Sequence, residues 1–285
     1  MEAPDNQQPQ HQAFADLPPL PADINQEELL RHLNAKFTSK NWVDNTEAVN
    51  LLRQINKSYP QSTNQVCEMF WNSILAALET PRTAVCKTAL VFFQEAFTQV
   101  NCNLNDAIIQ TTAPSIIHKT QHTNHVIRLE AQRAYEQLVS YCVKESLIVS
   151  ICVSCADKNP KIAELAFKAL EKVLSSVAQN ITYLQKDTFK AIFTALKQAL
   201  TGKRMDLKKH ADGIVKGLYA VLGEANFGQL IQVLVGESVL EEKDVENIKQ
   251  CFEPDTATKQ PRLGEVLHRK RKLANAEVPE QFHGF

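Results

Sequence analysis

Glycine is nearly missing from this chain. Only eight occur in 285 residues, and the first is Gly202. Glycine-rich phosphate loops, dinucleotide-binding fingerprints and nucleophile elbows all need glycine at fixed places, so none can exist upstream of it. Tight two-residue hairpins lean on glycine as well, which argues against paired strands there. An excess of one charge is also lacking. Lys plus Arg is 31 and Asp plus Glu is 32, a formal net of -1. A surface for an acidic partner must therefore be a local patch, and no nucleic-acid partner is expected. Long apolar runs are absent too. SLIVSICVSC is too short to cross a bilayer, so no membrane partner is expected. MEAPDNQQPQHQAF has neither a basic start nor an apolar run and does not read as a signal peptide.

Seven cysteines are present, at positions 67, 86, 102, 142, 152, 155 and 251. The odd count and the apolar helical surroundings of most suggest reduced core thiols in a cytosolic protein. Cys152-Val-Ser-Cys155 has the spacing of a zinc or redox pair, but there is no second pair and no βαβ context, so small buried residues are expected instead. His118, His122 and His125 could ligate zinc in principle. No carboxylate lies among them and no metalloprotease pattern follows, so the cluster reads as the end of a helix and a turn. No metal, cofactor or catalytic constellation is expected, and the chain is not expected to be an enzyme.

What the chain does hold is a repeat. Ala48, Leu51, Leu52 and Ile55 fall at positions 0, +3, +4 and +7, one face of an α-helix. So do Ala89, Phe92, Phe93 and Ala96; Ala131, Ala134, Tyr135 and Leu138; Ala166, Ala169, Leu170 and Val173; and Ala211, Ile214, Val215 and Leu218. The leading alanines lie 41, 42, 35 and 45 residues apart. A polar turn precedes each of these helices, and an apolar helix precedes each turn. The prolines at 60, 81, 114 and 160 suit helix starts. Helix–turn–helix units of this length are the period of HEAT-type repeats. The tract Glu224 to Phe252 makes a sixth pair. The expected fold is all-α, an α-solenoid of about six HEAT-type helical hairpins over residues 23–252, each burying its stripe on the next. Residues 1–22, rich in Gln and Pro, read as disordered, and 253–285 as a mostly disordered tail with the basic stretch HRKRK.

Stacked repeats put equivalent turns along one edge. The five turns carry Lys40; Arg82 and Lys87; Arg128; Lys158 and Lys161; and Lys203, Arg204, Lys208 and Lys209. A nearly neutral molecule would thus present one basic edge. Trp42 sits in the first turn among polar neighbours, outside the core pattern of its helix, as an aromatic anchor of a binding surface would.

Six helix pairs, a tryptophan in the first turn and basic residues in the later ones resemble a TOG domain, the tubulin-binding HEAT module of the CLASP, XMAP215 and crescerin families. The most specific stretch is APSIIHKTQHTNHVIRLEAQRAYEQLV. It is similar to the third repeat of crescerin-type TOG domains through Lys119, Thr123, Asn124, Ile127, Arg128, Glu130 and Ala131. PRTAVCKTAL and KNPKIAELAFKAL match less distinctively. The resemblance implies a non-catalytic domain that binds the tubulin heterodimer or the microtubule lattice through its turns. The residues implied are Trp42, Arg82, Lys87, Arg128, Lys158, Lys161, Lys203 and Lys208. It also implies a cytoplasmic, cytoskeletal setting and, through the crescerin-like stretch, a cilium or axoneme. The C-terminal tail could join an oligomer or a partner protein. Asp44 departs from the family, where a basic residue often follows the tryptophan. That acid and the near-neutral total keep open a scaffold for a different protein partner.

Overall fold

The computed structural model describes residues 16–21, 24–98, 104–178, 181 and 184–252. Among these residues all regular structure is helical. The first hairpin is α1 (Gln26–Thr38) with α2 (Trp42–Ser58). In the second, α3 (Thr63–Met69) and α4 (Trp71–Glu79) form one limb, bent at Phe70, and α5 (Thr83–Thr98) the other. Then come α6 (Asp106–Lys119) with α7 (His125–Tyr141), and α8 (Glu145–Cys155) with α9 (Pro160–Ser176). The fifth pairs α10 (Lys186–Thr201) with the front of α11 (Met205–Gly236). The rest of α11 with α12 (Glu242–Gln250) makes the sixth. The expected solenoid of six hairpins is what the chain forms.

The five repeated faces make one wall of the core. Every residue of the 0, +3, +4, +7 sets is buried except Leu51, which is half-buried against the core cluster. The alanines at the head of each set are all fully buried, and their small size lets neighbouring helices close up. Thus α2, α5, α7, α9 and α11 stack as one layer, with α4, α6, α8, α10 and α12 as the other. The first layer thins at its middle: α7 lies along α5 but touches α9 little, and there α6 on α8 carries the junction.

Polar groups reinforce the stack. Arg53 of α2 grips Glu95 of α5, both buried, with Nε 2.9 Å from Oε2 and Nη2 2.6 Å from Oε1. Gln94 of α5 donates to the Glu130 carboxylate of α7 at 2.9 Å. The edge away from the hairpin turns is laced as well. The Asn105 amide donates to Asn64 at 2.7 Å, Ser146 to Asp106 at 3.0 Å, and the Gln185 amide to Glu145 at 3.0 Å.

Four details differ from the sequence expectation. Asp16 to Pro21, within the stretch expected to be disordered, lies against α2. Leu17 is only 3% exposed, because Lys57 donates to its carbonyl at 2.8 Å, while Ser58 and Tyr59 hold Leu20 and Pro21. The expectations for residues 1–15 and for 253–285 lie outside the described residues. Pro114 sits inside α6 rather than at a helix start. Cys142 is disulfide-bonded, which corrects the expectation of reduced core thiols at that position. Finally, α11 is long and apolar enough, by length and composition, to cross a membrane. It is broken at Gly223 (φ 76°, ψ 164°), and both parts bury one side in the core, Leu218 and Leu222 before the break and Phe227 and Leu234 after it.

Candidate protein-binding edge

Three of the five turns share one construction. Asn41, Asn124 and Asn159 cap the helices that follow, each side chain accepting from the amide two residues on, Val43 (3.0 Å), Val126 (2.9 Å) and Lys161 (3.0 Å). Asparagine recurs in these turns because a cap must satisfy an orphan amide there. Trp42, His125 and Pro160 therefore occupy equivalent first helical positions, and Met205 holds the same place on α11.

Each turn meets the next or faces it across a cleft. The first and second face each other across a cleft of about 460 Å³, walled by Trp42, Lys40 and Asn45 on one side and Thr80, Arg82 and Val85 on the other. Asn124 of the third donates to Thr83, at the head of α5, at 3.2 Å. His118, closing α6, lies 3.2 Å from Asp157 of the fourth. Arg204 of the fifth donates to the Pro160 carbonyl at 3.1 Å. The five turns thus form one continuous edge.

The basic residues named from the sequence divide into two groups. Arg82, Lys158, Lys161 and Lys203 are exposed at the turns, with no ion-pair partner among the described residues. Lys87, Arg128 and Lys208 are half-buried and set back about one helical turn. Arg128 directs Nη1 to the carbonyls of His122 (2.7 Å) and Thr123 (3.3 Å), so it braces its own turn. Asn45 does the same in the first turn, donating to the carbonyls of Ser39 and Asn41. Trp42 is half-buried: one part packs on the core and the rest walls the cleft.

Acids near the edge are engaged. Asp44 accepts from the Ser39 hydroxyl at 2.5 Å, which turns its carboxylate into the hairpin. Asp157 accepts from the Asn159 amide at 2.7 Å, and Asp206 is held by Arg204, which lowers its pKa. The three histidines do not converge. His118 meets Asp157, His122 accepts from the Asn124 amide, and His125 opens α7. No metal-ligating cluster of three His, Cys, Asp or Glu occurs among the described residues. Burial pushes the Cys152 and Cys67 thiols up to about 12 and raises Cys155 further, so all three stay protonated and inert at neutral pH.

Sequence reasoning missed the cleft, whose far wall comes from the bent second hairpin. It also missed the exposed apolar side chains Val153 and Met205 beside the later turns. Both look like ordinary members of helical segments until the helix ends are placed.

Fold and edge define a class: a TOG domain, an all-helical solenoid of the HEAT type. The chain belongs to the CLASP N-terminal family, whose sequence profile matches residues 23–224. The fold is similar to a chain from the structural study of microtubule plus end tracking by XMAP215, CLIP-170 and EB1 (TM-score 0.52, 15% identity, 82% of this chain and 93% of that one). It is also similar to a chain from the study of crescerin's TOG domain array and microtubules in the primary cilium (TM-score 0.47, 14% identity, 78% and 88%). A third is the MAST/Orbit N-terminal domain (TM-score 0.45, 16% identity, 79% and 94%). No curated protein sequence matches the chain.

Proposed function

We propose that this edge binds the tubulin heterodimer or the microtubule lattice, as a non-catalytic module of residues 23–252 in the cytoplasm. The observation that carries the reading is the unbroken row of five turns, with exposed cations at four of them and a half-buried tryptophan at one end. A pre-formed edge binds with little ordering cost, and its lysines steer an acidic partner in a salt-sensitive way. Asp44 keeps its charge, but its carboxylate is drawn back toward Ser39 within the hairpin. The crescerin-like third repeat supports a place in cilia. The basic tail is a second point of attachment for an oligomer or partner.

Microtubule co-sedimentation and a free-tubulin binding assay test the reading. Trp42→Ala should weaken binding at least tenfold, about 1.4 kcal/mol. Replacing Lys158, Lys161 and Lys203 together by Glu should abolish it while helical circular dichroism stays unchanged. Truncation after Phe252 should leave binding in place. If truncation removes binding and the triple variant keeps it, the tail carries the function. If the folded wild type binds neither form of tubulin, the edge serves a different protein.

A further inference from the structure

Among the described residues, the two most exposed large hydrophobic side chains are Met205 at 73% and Val153 at 68%; the next is Met69 at 56%. Single exposed apolar residues are ordinary. These two sit beside successive turns of the edge. Val153 lies in the last turn of α8, beside the fourth hairpin turn, and Met205 is the first residue of α11, beside the fifth. Those turns are joined through Arg204 and the Pro160 carbonyl. Met205 occupies the position on its helix that Trp42 occupies on α2.

The same two turns carry Lys158, Lys161 and Lys203, exposed and without an ion-pair partner among the described residues. The neighbouring acids Asp157 and Asp206 are already bonded, to His118 and Asn159 and to Arg204. We propose that the fourth and fifth turns form an amphipathic contact surface in which Val153 and Met205 are apolar anchors within a basic rim. Its occupant is an acidic protein surface that presents an apolar side chain among its carboxylates. The inference rests on the edge reading above and deepens it: the end of the edge away from Trp42 recognises by shape and burial as well as by charge.

Salt separates the two contributions, because it screens exposed charge and leaves apolar burial in place. In the full chain, Val153→Ser with Met205→Gln should weaken tubulin binding about tenfold, by the same factor at low and high salt. Lys161→Glu with Lys203→Glu should weaken it more at low salt than at high salt. Both side chains are mostly exposed, so melting temperature should be unchanged in each variant. If the lysine variant loses binding and the Val153/Met205 variant binds like wild type at both salts, the apolar anchors are refuted and the edge stands. If neither variant changes binding, the edge reading falls, and this inference with it.

Discussion

Between α2, α5 and α7 the helices are joined by polar groups withdrawn from water, whereas between α10, α11 and α12 they are joined by charges that stay wet. Arg53, Glu95 and Glu130 are all buried in the first set. In the second, Lys186 and Lys190 both reach Glu237, with 30% or more of each side chain exposed. Lys197 meets Asp244 at 2.9 Å, where only the acid is buried. The difference teaches where each part is vulnerable. A buried pair is costly to break from one side, because the survivor keeps its charge and loses its partner. A wet pair returns to water and loses little. The amino-terminal hairpins should therefore behave as a tightly specified block, and the carboxy-terminal ones as a set of graded contacts.

The sharpest test is Glu95→Ala. It takes the carboxylate from the buried Arg53 guanidinium, which keeps its bond to Asn50, and should cost about 3–5 kcal/mol in denaturant unfolding. The matching change in the other half, Lys186→Ala, should stay within about 1 kcal/mol. Equal losses would abolish the contrast.

A smaller effect is expected at Gly223, the hinge between the two parts of α11. Its φ of 76° and ψ of 164° fall where only glycine is comfortable. Outside its own helix backbone and chain neighbours, nothing lies within 4 Å of where a Cβ would stand, so Gly223→Ala meets backbone strain without a clash against packed neighbours. It should cost about 1–3 kcal/mol, read as a lower melting temperature, with hydrogen exchange faster in α12 than in α5.

Acid should open the same end with the least force. The ammonium groups of Lys186 and then Lys190 hold the Glu237 carboxyl below its usual range. Burial pushes the Asp244 carboxyl up, but the Glu241 amide and Lys197 outweigh it and leave the net shift downward. Both stay charged to lower pH in the folded chain than in the unfolded one. Their contribution is present above the ordinary carboxylate range, near pH 4, and drains away as pH falls through the folded values. Exchange of the α12 amides should accelerate below about pH 4 before that of α5 does. Simultaneous acceleration would show that the wet pairs hold nothing.

The repeat was legible because four positions per helix recur at helical spacing with a small residue in the lead, and that pattern exists only if one face is buried. The hairpin turns were legible through their polar residues. What the sequence hid was direction. Arg128 and Lys203 look alike as letters in a turn, yet one folds back onto its own carbonyls and the other points outward. Trp42 looked like a free aromatic in a polar turn, and it packs partly on the core because α2 begins at that residue. The Arg53–Glu95 pair joins residues one repeat of the pattern apart, and nothing local marks either as buried.

The short segment Asp16–Pro21 bears on where this domain can be cut. Family likeness begins at residue 23, but Leu17 plugs the side of α2 and four side chains of that helix and its end hold the segment's backbone, Gln54, Lys57, Ser58 and Tyr59. A protein trimmed to the family boundary would leave those donors and acceptors to water and uncover the apolar surface that Leu17 closes. The cooperative unit, the piece that a protease should leave whole, therefore starts some residues earlier than the recognisable one.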